Sequence, residues 1–173
     1  MHAVNQGTPP QSGVNVVLRD GRSSDAKALG GLWRELMDYH ESIDDRFALA
    51  HNADQAFQSY LDNARKSDDY LVRVAEVDGE CVGFTISCIL PNSPAYRTRW
   101  VGYINDICVT DRFRGRGIGE ALVKDAVKWL RTHGAESVEV YVSRANPGAQ
   151  KFWRRVGGRD YLDRLTVDIS GED

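Results

Sequence analysis

Hydrophobic residues recur along this chain with two periods, one typical of helices and one typical of strands. Spacings of three and four residues predict helices over 25–39, 53–65, 118–132 and 146–156. Loosely alternating or continuous apolar runs predict strands over 14–19, 70–77, 81–90, 100–109, 137–142 and 162–169. Helices and strands in this order favour an α/β fold with one mixed sheet that is covered by helices on both faces.

Polar and glycine-rich breaks separate these elements. The pair Asp78-Gly79 predicts a tight hairpin turn between two strands, and Gly134 predicts the end of a helix. Residues 40–45 form a polar break after the first helix. Residues 1–13 combine Pro, Gly, Ser, Asn and Gln and predict a flexible leader, so one domain is expected over 14–173.

Composition narrows the class of protein. With 42% hydrophobic residues in 173, the chain can bury a core, which excludes wholesale disorder. Its 22 basic and 25 acidic residues give a net charge of −3, which disfavours binding to nucleic acid or anionic lipid. No apolar run approaches the roughly 18 residues of a membrane span, and the first residues lack a signal-peptide pattern. A cytoplasmic protein is therefore expected.

Cysteine and histidine spacing indicates no metal site and no disulfide framework. The three cysteines are Cys81, Cys88 and Cys108, and none of them forms a C-x-x-C pair. His40-Glu41 begins like a zinc-protease motif, but Asp44 stands where the second histidine belongs. Strand alternation sets Cys108 opposite to its neighbours Ile107 and Val109, which favours a buried apolar cysteine over a nucleophile.

The glycine-rich segment 114–119 follows an apolar strand and opens a helix. Glycines let the main chain approach a ligand closely, and the first N–H groups of a helix lack partners within the helix, so the segment predicts a phosphate site. Three arginines within five residues, Arg112, Arg114 and Arg116, add positive charge. Glu120 stands where Walker A and Rossmann motifs need glycine, so both fail. A tight turn with solvated arginines is the alternative interpretation.

Two motifs resemble those of the GNAT superfamily, the acyl-CoA-dependent N-acyltransferases. Arg114-x-x-Gly117-x-Gly119 resembles the signature R/Q-x-x-G-x-G/A. Residues 146–157 resemble N-x-x-A-x-x-F-Y-x-x-x-G-F, and the order of elements over 15–169 is similar too. The resemblance implies a single-domain GNAT fold: a mixed, mostly antiparallel sheet of six to seven strands, splayed at one point and flanked by about four helices.

The resemblance also implies how acetyl-CoA binds, wedged between the strand that ends at Val109 and the strand 137–142. The pantetheine arm would pair with the main chain of Ile107, Cys108 and Val109. The pyrophosphate would take the N–H groups of Arg114, Gly115, Arg116, Gly117, Ile118 and Gly119. Asn146 would form a hydrogen bond to the pantetheine arm. The far wall beside the arm would be lined by Ala149, Phe152 and Trp153. Asn146 could equally cap its own helix.

Amine attack on a thioester needs three groups: a base for the amine, a hydrogen-bond donor that stabilises the tetrahedral oxyanion, and an acid that protonates the departing thiolate. Many relatives carry Glu-Asp where this chain has Asn105-Asp106, so Asp106 is the candidate base, with a loop-tying aspartate as the alternative. The resemblance implies that the main-chain N–H of Val109 donates the hydrogen bond to this oxyanion. Trp153 replaces the family's usual acid, a tyrosine, so Tyr141 or solvent would protonate the sulfur.

The acceptor is expected between the first helices and the late strands. The candidate residues in the break after the first helix are Tyr39, His40, Asp44 and Asp45. Their acidic character would suit a cationic amine, whereas a solvated turn is the other interpretation.

These observations together predict a cytoplasmic N-acetyltransferase that moves an acetyl group from acetyl-CoA to a small cationic amine or an exposed protein amine. A direct attack in a ternary complex is expected, without metal, nucleic acid or membrane. A non-catalytic acyl-CoA sensor, motivated by Asn105 and Trp153, is the alternative function. The sequence leaves a homodimer open.

Overall fold

A computed structural model describes residues 15–167, and the predicted leader over 1–13 lies outside them. The contacts divide the chain between Tyr141 and Val142 into two compact units. The first unit contains a sheet and three helices, and the second contains one helix. The prediction of one domain over 14–173 stays a prediction.

The sheet of the first unit has five strands that lie side by side in chain order. They are β1 (Val16–Asp20), β2 (Tyr70–Val77), β3 (Glu80–Pro91), β4 (Trp100–Val109) and β5 (Ser137–Glu139). The first four strands pair antiparallel, and β5 pairs parallel to β4. The predicted mixed, mostly antiparallel sheet and the hairpin turn at Asp78-Gly79 are confirmed.

Four helices accompany the sheet in the described residues. They are α1 (Ala26–Ile43), α2 (Ala53–Ala64), α3 (Ile118–Thr132) and α4 (Pro147–Arg155). The predicted polar break is wrong in its first residues, because α1 continues to Ile43 and the N–H of Asp44 still donates to the carbonyl of His40. Glu41 and Ser42 are exposed there, and a helix accommodates polar residues on its solvent face.

The predicted count of six to seven strands is wrong, since the described residues contain five. β5 is shorter than the predicted strand 137–142. In the predicted last strand, 162–169, the described residues 162–167 form no strand, and Leu165 and Val167 are 86% and 84% exposed. Alternation of apolar residues produces a strand only where the backbone finds a ladder partner and the side chains find a face to cover.

Two hydrophobic clusters cover the two faces of the sheet. On the face of α1 and α2, Trp33 stacks on Phe57 with ring centroids 4.5 Å apart, and Cys108 packs into the same cluster. On the face of α3, Ile107 and Val109 pack against the cluster around Ile118. The predicted alternation at the end of β4 is therefore confirmed, and Cys108 is a buried apolar residue.

The sheet opens at its last strand pair. β4 and β5 pair from Val101–Ser137 to Tyr103–Glu139, and there the pairing ends, although β4 continues to Val109. The second half of β4 thus has no strand partner on this side in the described residues, because β5 ends at Glu139, and the predicted splaying of the two strands stays a prediction.

None of the helices in residues 15–167 is both long and apolar enough to cross a membrane.

Candidate functional site

A β-bulge in β4 lies next to the opening. Ile86 pairs with Asp106 and the next residue, Ser87, pairs with Ile104, so Asn105 is an extra residue in β4. A bulge redirects side chains locally and is common beside active sites. Here the side chain of Asn105 reaches α2, where its amide nitrogen donates to the hydroxyl of Tyr60 at 3.0 Å.

Asp106 lies on the sheet face that α1 and α2 cover. It stands two residues before Cys108, which belongs to the cluster on that face. Burial raises the pKa of Asp106 to about 6. Within residues 15–167 its carboxylate has no hydrogen-bond or ion-pair partner, and its main-chain oxygen accepts from the hydroxyl of Thr85 at 2.9 Å. The described contacts therefore include none by which this carboxylate ties down a loop.

The main chain at the end of β4 presents polar groups to the open edge. The N–H of Thr110 donates to the carbonyl of Val82 on the β3 side. Successive residues of a strand direct their main-chain groups to opposite sides, so those of Ile107 and Val109 face away from β3. The carbonyl of Val109 accepts from Nε of Arg114 at 2.8 Å. The N–H of Val109 consequently faces the side where β5 has ended.

The glycine-rich segment forms an exposed turn into α3. Gly115 and Gly117 have φ of +75° and +82°, conformations that side chains rarely adopt, so glycine is required there. The first hydrogen bond at this end of the helix runs from the N–H of Ala121 to the carbonyl of Gly117. The N–H groups of the preceding residues have no intrahelical carbonyl to bond, and the helix dipole makes this end positive.

The three arginines of this segment differ in their partners. Arg112 forms an ion pair with Glu80. Arg114 forms ion pairs with Asp111 and, at 3.2 Å, with Glu35 of α1. The third arginine, at position 116, lies over the ring of Phe113 at 5.1 Å and has no carboxylate partner in the described residues. Of the three predicted positive charges, that of Arg116 is thus the one with no carboxylate beside it in residues 15–167.

The second motif lies in the second unit. The side-chain oxygen of Asn146 accepts from the N–H of Ala149 at 2.9 Å, so Asn146 caps α4, as one of its two interpretations predicted. Phe152 and Trp153 are half-buried and contact each other edge to face, with centroids 5.3 Å apart. The predicted contacts of these residues with pantetheine stay predictions.

Tyr141 lies at the end of the first unit. Its ring is 72% exposed and stacks on that of Tyr103 with centroids 6.5 Å apart. Tyr103 belongs to the last pair of β4 and β5. The structure thus brings Tyr141 to the point where the sheet opens.

The predicted acceptor residues do not form an open acidic cluster. Tyr39 and His40 lie in the last turn of α1, and the ring of His40 lies 5.1 Å from that of Phe47. Burial lowers the pKa of His40, which favours a neutral ring. The carboxylate of Asp44 accepts from Nε of Arg46 at 2.8 Å, so its charge is neutralised. Asp45 is exposed in the turn that follows.

Two residues near the site carried no signal in the sequence. Tyr60 falls among the apolar residues on one side of α2, so its position in the sequence gives no sign of a role in the site. Glu35 is one of several charged residues of α1, but its carboxylate accepts from the N–H of Asp111 at 3.1 Å and thereby joins α1 to the turn after β4. Only the tertiary fold brings these side chains to the site.

A cleft of about 570 Å³ lies in the first unit between α1, the start of β3 and the turn after β4. Its charged lining residues are Lys27, Glu35, Glu80 and Arg112, and none of the predicted acceptor residues lines it. Among residues 15–167, no group of three or more His, Cys, Asp or Glu side chains lies together in a way that could hold a metal ion.

Comparison with known proteins gives a family match over most of the chain. Residues 32–158 match the model of the Acetyltransferase (GNAT) family. An uncharacterized N-acetyltransferase of Methanocaldococcus jannaschii is 32% identical over 68% of this chain and 56% of its own length. The L-2,4-diaminobutyric acid acetyltransferase of Nocardia farcinica is 35% identical over 50% of this chain and 42% of its own.

Two further proteins are similar over nearly their whole length. The thialysine N-epsilon-acetyltransferase of Sus scrofa is 26% identical over 87% of this chain and 88% of its own. An aminoglycoside N-acetyltransferase solved in complex with CoA superposes with a TM-score of 0.72 at 18% identity, over 95% of this chain and all of its own. At that identity the superposition supports the fold alone.

Proposed function

The chain belongs to the acetyltransferase (GNAT) family, and from this premise we propose that it moves an acetyl group from acetyl-CoA to a primary amine by direct attack of the amine on the thioester. One observation carries the proposal. The edge of β4 that has no strand partner beyond Tyr103 is followed, after a short turn over 110–113, by the glycine turn at the start of α3. An extended chain that ends in a diphosphate fits such an edge followed by such a turn.

The diphosphate site of this proposal is the turn over 114–119. Its N–H groups and the dipole of α3 attract an anion, and the guanidinium of Arg116 adds a positive charge that no carboxylate of the described residues neutralises. The pantetheine arm would lie along Ile107 and Val109, whose main-chain groups face the open edge. To pair with the carbonyl of Val109, the arm must replace Nε of Arg114.

The chemistry begins with removal of a proton from the amine. An alkylammonium group with a pKa of about 10.4 is protonated near neutral pH, so it must lose a proton before it can attack. We propose that the carboxylate of Asp106 accepts that proton through a bridging water molecule. Burial raises the pKa of this carboxyl to about 6, closer to the working pH, where a base accepts a proton more readily.

The neutral amine then attacks the carbonyl carbon of the thioester. The new C–N bond leaves a tetrahedral oxyanion, for which the N–H of Val109 is the proposed donor. Collapse of the intermediate breaks the C–S bond, CoA departs as a thiolate, and the nitrogen loses its second proton to solvent, which leaves a neutral amide. The thiolate takes its proton from Tyr141 or from solvent, since the indole of Trp153 cannot supply one.

The acceptor in this proposal is a small primary alkylamine. The carboxylate of Asp106 would attract the ammonium form of such an amine to the face of α1 and α2. Two relatives are named for diaminobutyric acid and thialysine, amino acids that carry a side-chain amine. We therefore propose the side-chain amine of a diamino acid as the first acceptor class to test.

Two measurements on the wild-type protein test the proposal. Titration calorimetry with acetyl-CoA measures donor binding, and thiol release with a panel of amines measures turnover. The panel contains L-2,4-diaminobutyrate, thialysine, spermidine, an aminoglycoside and an N-terminal peptide. We expect acetyl-CoA binding and amine-dependent thiol release, highest with a diamino acid. Binding without turnover on any amine would contradict the proposed transfer and support an acyl-CoA sensor.

A further inference from the structure

A chain of polar side chains crosses three elements beside Asp106. The thiol of Cys88 on β3 donates to the amide oxygen of Asn105 on β4 at 3.5 Å. The amide nitrogen of Asn105 donates to the hydroxyl oxygen of Tyr60 on α2 at 3.0 Å. The bulge of β4 makes this chain, because it adds Asn105 to the strand and turns its side chain toward α2.

The hydroxyl of Tyr60 can still donate. Its oxygen already accepts from Asn105, so its own proton points elsewhere. The ring is fixed by packing: it lies edge-on to the ring of Tyr70 at 6.1 Å and near the ring of Phe57 at 6.5 Å. A hydroxyl that is held in this way presents its proton in one direction.

Asp106 follows Asn105 in β4 and lies on the face of the sheet that α1 and α2 cover, so its carboxylate is on the same side of the sheet as the hydroxyl of Tyr60. Burial, and then the negative charge of Asp106, raise the pKa of Tyr60. The two side chains make no direct hydrogen bond in the described residues, and a polar contact at longer range is commonly bridged by one water molecule.

We propose that Tyr60 is a positioning residue for the catalytic base: its hydroxyl, fixed by Asn105, orients the water molecule through which the acceptor amine passes its proton to Asp106. This inference rests on the proposed function, because it takes Asp106 as the base. It gives Asn105 a role that the glutamate of many relatives could not fill when ionised, since a carboxylate has no N–H to donate to Tyr60.

The proton balance of the step is simple. One N–H bond of the ammonium breaks, its proton moves to the water, and the water passes a proton to the carboxylate of Asp106. Tyr60 keeps its own proton and donates it as a hydrogen bond to the water throughout. The amine nitrogen keeps the electron pair that then forms the C–N bond.

The direct test is the titration of Asp106 itself. Its carboxyl carbon is followed by ¹³C NMR from pH 4 to 9, with Asp106→Asn to assign the resonance. The water that Tyr60 holds donates to the carboxylate and lowers its pKa, so loss of this water in Tyr60→Phe should raise the midpoint by about half to one pH unit. An unchanged midpoint in a folded Tyr60→Phe variant would overturn the proposal.

Other titrating groups on this face do not interfere. The titrating groups that interact with Tyr60 or Asn105 are Tyr70 of β2 and Cys88 of β3, and Cys108 of β4 follows Asp106 on the same face. Burial raises the pKa of each of them, and that of Cys108 to about 12. None of them therefore changes charge near pH 6. No charged side chain of the described residues contributes to the raised pKa of Asp106, for which burial is the cause.

Tyr70→Phe is the matched control. It removes a hydroxyl from the ring next to Tyr60, but this hydroxyl is hydrogen-bonded to Cys88, and the charges that act on it are those of Cys88 and Asp69 rather than that of Asp106. We expect the midpoint of Asp106 to stay in place in this variant. An equal upward shift in both variants would mean a general loss of packing and would overturn the specific role of Tyr60.

Kinetics separate this inference from the proposed function. With L-2,4-diaminobutyrate or thialysine as acceptor, Tyr60→Phe should lower kcat about 5- to 20-fold and leave the Kd of acetyl-CoA unchanged. If Asp106→Asn lowers kcat and Tyr60→Phe does not, the result supports the proposed function and contradicts the positioning role of Tyr60. If the wild-type protein releases no thiol with any amine, the proposed function is contradicted, and the NMR titration still decides whether Tyr60 holds a water molecule at the carboxylate of Asp106.

Discussion

Asp106 is half-buried, and its carboxylate has no hydrogen-bond or ion-pair partner in residues 15–167. Such a group costs stability when it is ionised, and proteins retain it where its reactivity is needed. In the unfolded chain it titrates near 3.8, whereas burial raises its pKa to about 6 in the fold. The folded state therefore binds this proton more tightly, and the group destabilises the fold progressively as the pH rises from about 4 to about 6, with no further change above that.

The variant Asp106→Asn should separate reactivity from stability. We expect kcat to fall about 100-fold with the Kd of acetyl-CoA unchanged, and the limb of the rate profile near pH 6 to disappear. At pH 8 the variant should melt at a higher temperature than the wild type, because a buried charge is removed. At pH 4 this difference should vanish. A variant with full activity and an unchanged pH profile would show that Asp106 is not the base.

Arg116 is the arginine whose charge is available to a phosphate. Arg116→Ala should raise the Kd of acetyl-CoA about 10-fold, and added salt should reduce the difference from wild type. Arg112→Ala is the control, since the guanidinium of Arg112 is paired with Glu80. It should change Kd by about 2-fold or less. Equal effects of the two substitutions would contradict the assignment of the phosphate charge to Arg116.

The two ends of α3 offer a matched pair of glycines. Gly117 before the helix and Gly134 after it both have positive φ, +82° and +94°, and neither has an atom within 4 Å of an added Cβ. An aspartate at either position bears similar backbone strain, but only at Gly117 does it meet a bound diphosphate. Calorimetry should show acetyl-CoA affinity reduced at least 100-fold by Gly117→Asp, by exclusion and charge repulsion, and retained in Gly134→Asp.

Loss of affinity in both glycine variants would mean that α3 has unfolded or shifted. Circular dichroism and the melting temperature of each variant decide this point. Retained affinity in a folded Gly117→Asp variant would contradict the proposed diphosphate site.

Elements with local signals were predictable from the sequence. α3 begins and ends at the predicted residues because Gly117 and Gly134 mark its limits and its apolar residues keep a helical period. β5 and residues 162–167 were mispredicted, since a strand needs a pairing partner that the sequence does not specify. The bulge at Asn105 was not predictable either, because it depends on the register with β3.

In the candidate site, too, some residues could be predicted from the local sequence, whereas other contacts are seen only in the folded structure. The glycine turn and Asp106 could be found from motif and strand, and so could the cap of α4 at Asn146. The contact of Asn105 with Tyr60 joins residues 45 positions apart. The ion pair of Arg114 with Glu35 also required the fold, because it joins residues that lie far apart in the sequence.

The molecule as a whole carries a net charge of −3, yet it is proposed to bind a polyanionic cofactor. Long-range attraction therefore contributes little, and the affinity must come from the turn before α3 and from the main-chain edge of β4. The acidic balance would instead favour the approach of a cationic acceptor amine. Donor and acceptor would thus be recognised by different physical means.

A crystal structure of the protein with acetyl-CoA is the most direct measurement. We predict the diphosphate oxygens within about 3 Å of the main-chain nitrogens of 115–119, and the pantetheine arm along Ile107 and Val109. We also predict the thioester carbonyl at the N–H of Val109, with Nε of Arg114 displaced from the carbonyl of that residue. Acetyl-CoA bound elsewhere, with the turn before α3 unoccupied, would contradict the account.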